Sequence, residues 1–185
     1  MTGKSTHASN PKAGKNTFTP AFQALSSLSV GSLDAGETTI NIGLIKGGTG
    51  VNTVPGCISI QGEVRSYSEI FFLKHLKEIK EIMQINAKKY DVDMDFTLNG
   101  YCAGYAHKKN SSFVDSLSSL FSRLELKPVF YTRSGISDAN VLNAKGIETF
   151  NLTDGTKYPH TTSEQIAVKD LIKLSEIVKK CITEL

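Results

Sequence analysis

A chain of 185 residues, 39% hydrophobic, without Trp and with a formal net charge of +3, has apolar material for one domain or two small ones. Its lysines are scattered among acids, as in Lys74, Lys77, Glu78, Lys80 and Glu81, which describes a solvated helix face and not a nucleic-acid patch. No apolar run approaches ~18 residues and no apolar leader opens the chain, so it reads as a soluble, cytoplasmic protein with no membrane partner.

In chain order, Phe18, Ala21, Phe22, Leu25 and Leu28 recur at helical spacing and predict a helix that Gly31 closes. Ile40, Ile42 and Leu44 alternate with Thr39, Asn41 and Gly43, which predicts a half-buried strand. Ile58, Ile60, Gly62 and Val64 alternate with Ser59, Gln61, Glu63 and Arg65 and predict a second. Between them Lys46-Gly47-Gly48-Thr49-Gly50 is a loop that permits positive φ or a close approach. A long amphipathic helix follows from about Ser68 to Tyr90, with Phe72, Leu76, Ile79 and Met83 on its buried stripe. His75, between Lys74 and Lys77, falls on its polar face and is expected to be solvated. Val92, Met94, Phe96 and Leu98 predict a third strand. An antiparallel sheet covered on one side by two helices fits this order.

The pattern changes between Gly104 and Ser112, and a domain boundary is placed at about residue 108, giving segments 1–108 and 109–185. Beyond it, Phe113, Leu117, Leu120 and Phe121 predict a helix, and Pro128–Tyr131 and Thr149–Leu152 short strands. The turn before Asp138 opens a short helix, and Leu171, Leu174, Val178 and Cys181 mark the last one. His107 is expected to be a solvated loop residue. The fold class is therefore α/β: an α+β first part, then a partial α/β segment.

Several chemistries are excluded by spacing. Gly3-Lys4-Ser5 imitates the end of a phosphate loop but lacks the earlier Gly and the strand before it. Asp91-x-Asp93-x-Asp95 begins like a calcium loop, yet Phe96 and Cys102 stand where Gly and Glu are required. The acids Glu63, Asp93 and Asp95 on the predicted strands would repel an RNA backbone. Cys57, Cys102 and Cys181 are an odd number without a Cys-x-x-Cys pair, which argues against both a disulfide framework and a zinc knuckle. Asn110-Ser111-Ser112 and Asn151-Leu152-Thr153 match the glycosylation pattern, which matters only in a secreted chain.

Five positions invite a functional reading. His7, ahead of a Pro-terminated turn, is an uncrowded imidazole able to donate to an oxyanion. Asn52 is either an Asx-turn former or a ligand-facing amide. Arg65, at a strand end, is either half of a surface ion pair or a carboxylate fork. The Gly135–Asn140 turn precedes a helix. His160 is a metal-competent imidazole in a loop that Thr161-x-x-Glu164 would brace as a capping box. A metal centre needs about three or four ligands, and one imidazole does not supply them.

These segments together resemble a known family. Gly3-Lys4-Ser5-Thr6-His7-Ala8, Gly47-Gly48-Thr49-Gly50-Val51-Asn52-Thr53-Val54-Pro55, Gly62-Glu63-Val64-Arg65-Ser66, Ser137-Asp138-Ala139-Asn140 and His160-Thr161-Thr162-Ser163-Glu164 stand in the order seen in M20 metallopeptidases, and most resemble the peptidase T (tripeptidase) branch. The resemblance implies a di-zinc hydrolase of short peptides whose catalytic domain is interrupted by a lid that forms a homodimer. It implies that residues 1–108 are the lid and 109–185 the C-terminal return into the catalytic domain. The N-terminal catalytic segment, with the other zinc ligands and the general base, would then lie outside this sequence, and the isolated chain would be inactive. By the same resemblance His160 is the last zinc ligand, and His7 stabilises the oxyanion, in dimers at the neighbour's site. Asn52 and Arg65 hold substrate, while Gly135 and Ser137 line the cleft. Arg133-Ser134-Gly135-Ile136 replaces the family's glycine run, and Ile136 adds bulk there. A related deacylase or carboxypeptidase, or a dimerisation module without catalysis, are the alternatives.

Overall fold

The computed structural model describes residues 1–108, 111–133 and 135–184; Asn110 and Ser134, named above, lie outside the described residues. The chain folds as two compact units, residues 1–104 and 105–185.

In the first unit, β1 (Thr6–His7) is followed by a 3-10 turn (Pro11–Ala13) and helix α1 (Phe18–Ser26). The helix ends at Ser27, and Gly31 does not close it. With φ of +95°, Gly31 instead opens β2 (Gly31–Leu33), which pairs antiparallel with β3 (Thr38–Gly47). β4 (Thr53–Val54) pairs with β1, and β5 (Ile58–Ser66) pairs with β3, so a two-stranded ladder β1–β4 sits beside a sheet of order β2-β3-β5. Helix α2 (Glu69–Lys89) starts where the Ser68 hydroxyl accepts the Phe71 N–H, and Lys88 and Lys89 oppose the helix dipole at its end. α1 and α2 pack side by side over the sheet, as the apolar periodicity predicts. Their core includes Ala21, Ala24, Ile40, Ile58, Met83 and Ala87. Gly47 admits the Phe18 ring on this face: a Cβ there would lie 2.7 Å from Phe18 Cε1.

Two strand expectations are corrected. The pairing of β3 with β5 slips by one residue between Ile42 and Leu44, leaving Gly43 as a β-bulge. Side chains alternate faces along a strand, so one extra residue exchanges the faces beyond it. Ile42 lies opposite Gly62 and Ile45 opposite Ile60 on the helix-covered face, while Leu44 faces Gln61 and Lys46 faces Ser59 on the outer face. Residues 92–98 form no strand. Asp91 takes φ of +52°, only Asp93 makes a bridge, to Thr2, and the alternating apolar residues after it have no ladder partner.

The second unit holds α3 (Ser112–Arg123), α4 (Asp138–Ala144) and α5 (Val168–Glu184). The Ser111 hydroxyl caps α3 by accepting the Val114 N–H. Residues 128–131 and 149–152 are not strands. Thr149 is held instead by side chains: Asn143 Nδ2 donates to its carbonyl at 2.8 Å, and Asn143 Oδ1 accepts its N–H at 3.2 Å. That amide supplies the two bonds a neighbouring strand would have made. No helix among the described residues is long and apolar enough to cross a membrane.

Candidate functional site

The β1–β4 ladder brings His7 and Asn52 together. His7 lies opposite Thr53, and the next N–H, of Ala8, donates to the Asn52 carbonyl at 2.8 Å. A turn closed by Thr53 N–H to Gly50 carbonyl presents Asn52 at the ladder's end. The His7 ring is exposed, and its Nδ1 accepts both the Ser9 N–H at 3.2 Å and the Ser9 hydroxyl at 2.7 Å. With Nδ1 occupied as an acceptor, the neutral ring carries its proton on Nε2. That N–H points away from the Ser9 contact and is available as a donor, the capacity an oxyanion requires.

Arg65 is placed elsewhere. It lies on the outer face of the sheet, opposite Thr39 and seven residues along β5 from Ile58, so about 23 Å from the end where the N-terminal segment joins the strand. Its Nε and a terminal nitrogen each donate to one oxygen of Glu63, at 3.1 and 3.0 Å. This is the bidentate fork that a substrate carboxylate would otherwise take. The contact present is the surface ion pair, and a carboxylate ligand at Arg65 would have to displace Glu63.

The second unit carries Gly135, Ser137 and His160. Gly135 is exposed and meets no neighbouring atoms where a side chain would project. Ser137 precedes α4: its N–H donates to Asn140 Oδ1, and its hydroxyl accepts from the Asn151 amide at 2.8 Å. His160 stands in a loop whose neck is closed by paired backbone bonds between Lys157 and Gln165. Glu164 braces that loop one residue earlier than a standard capping box, accepting the His160 N–H at 2.6 Å. His160 itself has φ of +64°, a conformation costing about 1 kcal/mol outside glycine. Its ring is exposed.

Two histidines expected to be solvated are not. His75 is 7% exposed, with Nε2 2.7 Å from Asp34 and Nδ1 3.1 Å from Glu78. Carboxylates accept only, so the doubly protonated ring satisfies both contacts at once and ties α2 to the β2–β3 turn. Hydrogen bonds from Thr38 and then from His75 hold the Asp34 carboxyl below its usual range. The clue was in the spacing: residue 75 is three from Phe72 and four from Ile79, on the buried stripe itself. His107 stacks on Phe150 at 3.7 Å between ring centroids and donates from Nε2 to the Thr149 carbonyl. No sequence pattern marked that contact.

Among the described residues no three His, Cys, Asp or Glu side chains converge on a point where a metal could sit. His160 offers one imidazole, and the residues present do not by themselves fit a zinc centre.

Residues 1–91 match the sequence profile of the M20 peptidase dimerisation domain. Over these residues the chain resembles the dimerisation domain of M20 peptidases. Among solved structures, the whole chain is similar to aminopeptidase PepT from Bacillus cereus, at 32% identity and a TM-score of 0.79. The match covers 96% of this chain and 48% of that one. A tripeptidase from Staphylococcus aureus is similar at 28% identity and a TM-score of 0.84, over 96% of this chain and 47% of its own. Among curated relatives, the uncharacterised protein YqjE of Bacillus subtilis is 29% identical over 98% of this chain and 49% of its own length. A succinyl-diaminopimelate desuccinylase of Buchnera aphidicola is 26% identical over 91% of this chain and 46% of its own. The chain therefore spans about half the length of the relatives it matches.

Proposed function

We propose that residues 1–108 form the homodimerising lid, and residues 109–185 a C-terminal portion of the catalytic domain, of a zinc-dependent M20 aminopeptidase acting on short peptides. The likeness to a PepT aminopeptidase and to a tripeptidase supports this substrate class. The observation that carries the reading is the pair His7 and Asn52, held at one end of a two-stranded ladder with the His7 Nε2–H free to donate. In this role His7 donates to the oxygen on which charge develops during attack on the scissile carbonyl, at the partner's site in a dimer. Asn52 and Arg65 hold the peptide, Arg65 exchanging Glu63 for a substrate carboxylate. Gly135 and Ser137 line the cleft. His160 is one zinc donor of a set completed by residues outside this sequence, and the chain by itself hydrolyses nothing.

The test is made on the full-length protein, with tripeptides and N-succinyl amino acids offered in parallel. Tripeptide cleavage is expected, and His7→Ala is expected to lower kcat by roughly 100-fold while KM changes little. A full-length His7→Ala enzyme with unchanged kcat removes the role given to His7. Turnover of the N-succinyl compounds alone would establish the second reading, a deacylase, which the desuccinylase likeness supports.

A further inference from the structure

The turn that follows β1 does more than reverse the chain. The His7 carbonyl accepts the Asn10 N–H at 2.9 Å, and the Ala8 N–H donates to the Asn52 carbonyl at 2.8 Å. The turn of residues 7–10 is thus fixed both within itself and to the segment preceding β4. Pro11, which has no N–H to offer a ladder, then starts the 3-10 turn. These constraints bring Ser9 back beside the end of β1, where its backbone N–H and its hydroxyl both reach His7 Nδ1, at 3.2 and 2.7 Å.

Those two contacts decide where the ring carries its proton. A backbone N–H only donates, so Nδ1 presents its lone pair to Ser9, and the hydroxyl must donate as well. A proton on Nδ1 would meet the Ser9 N–H donor to donor. Nδ1 has one lone pair in the ring plane, and the shorter hydroxyl contact is the better placed to hold it. The ring is exposed, so packing does little to stop it turning about its Cβ–Cγ bond. A turned ring would carry Nε2 away from its present place. Serine also suits the task chemically. An aspartate here would accept from Nδ1–H and leave Nε2 with a lone pair, unable to donate to an oxyanion.

We propose that Ser9 is the positioning residue for His7: its hydroxyl holds the ring in one orientation and one tautomer, with Nε2–H as the outward donor. The proposal rests on the role given to His7 above, but the tautomer is a property of this chain that can be read without catalysis.

The experiment has two arms. In the first, the nitrogen NMR signals of the imidazoles are recorded on the chain at alkaline pH, where imidazoles are neutral, those of His7 being identified by their loss in His7→Gln. Wild type is expected to show the Nε2–H tautomer, Ser9→Ala a several-fold larger Nδ1–H fraction, and Ser9→Asp mainly the Nδ1–H tautomer. In the second, the full-length protein is assayed with a tripeptide. Ser9→Ala is expected to lower kcat about tenfold with KM unchanged, Ser9→Asp about 100-fold, and Ser9→Thr to restore it. Ser9 is exposed, so Tm is expected to stay the same in all three. A wild-type tautomer in Ser9→Asp, equal kcat losses in Ser9→Thr and Ser9→Ala, or wild-type kcat in Ser9→Ala beside a slow His7→Ala would each overturn the proposal. Unchanged kcat in His7→Ala would instead remove the catalytic reading, and the first arm would still decide whether Ser9 sets the tautomer.

Discussion

In residues 1–104 two helices lie against a sheet, and buried apolar side chains come from α1, β3, β4, β5 and α2 alike. In residues 105–185 the buried apolar side chains among those described are Val114, Leu117, Leu120 and Ala139, from α3 and α4 alone. Helix α5 is as periodic as α2, yet none of its described residues is buried; Leu171 is 53% exposed and Ile182 79%. The difference teaches what an amphipathic pattern does and does not deliver. It specifies which face of a helix needs cover, and a second layer must supply that cover. The first unit has its sheet. In the second, the segments with strand-like sequence have no ladder partner.

The comparison yields to measurement, beginning with hydrogen exchange on the intact chain. Amides in the central turns of α2 are expected to exchange at least ~100-fold more slowly than those of α5, because α5 opens without disturbing a shared core. Equal protection would break the contrast outright. Matched truncations sharpen it. Ile58→Ala and Leu120→Ala each remove a fully buried side chain and each are expected to cost about 3 kcal/mol. In the first unit that lowers Tm and leaves a cooperative transition. In the second it is expected to abolish the transition, which calorimetry would show.

Smaller is His75→Ala, expected to cost the first unit about 2 kcal/mol by denaturant unfolding, since it removes two hydrogen bonds to carboxylates from a buried ring. The same variant changes the acid response. Asp34 has a lowered folded value, so its contribution is complete above its unfolded value of about 3.9 and is lost as pH falls through the folded one. Loss of His75 removes part of that lowering, and unfolding against pH below about 4 is expected to become shallower. Smallest is Glu184→Gln. Lys180 and Arg123 hold that carboxyl below its usual range, but the pairs are exposed, and no measurable change in Tm is expected.

Much of the first unit was legible because its elements depend on local pattern. The stripe of α2 and the alternation of β5 reflect periodicities that burial enforces. What escaped depends on partners distant in sequence. Gly31-Ser32-Leu33 has no alternation to announce a strand and is one only because Thr38–Ile40 lies opposite. Val92–Leu98 alternates well and is no strand for want of a neighbour. The slip at Gly43 is invisible until β5 is laid beside β3. Of the proposed site, His7 and Asn52 were legible by motif and are neighbours in space. The engagement of Arg65 by Glu63 was legible as a possibility only, and the burial of His75 was hidden by its charged neighbours in sequence.

The irregularity at Gly43 separates two operations that sequence editing usually confounds. Excising that residue would leave every cross-strand partnership on either side intact, because the position has no counterpart in β5. Forcing it into regular pairing at constant length would instead turn the Lys46 end of the strand inside out. Strand β3 is therefore tolerant of being shortened at one point and intolerant of being straightened there, so a length change at this position alone is a mild edit.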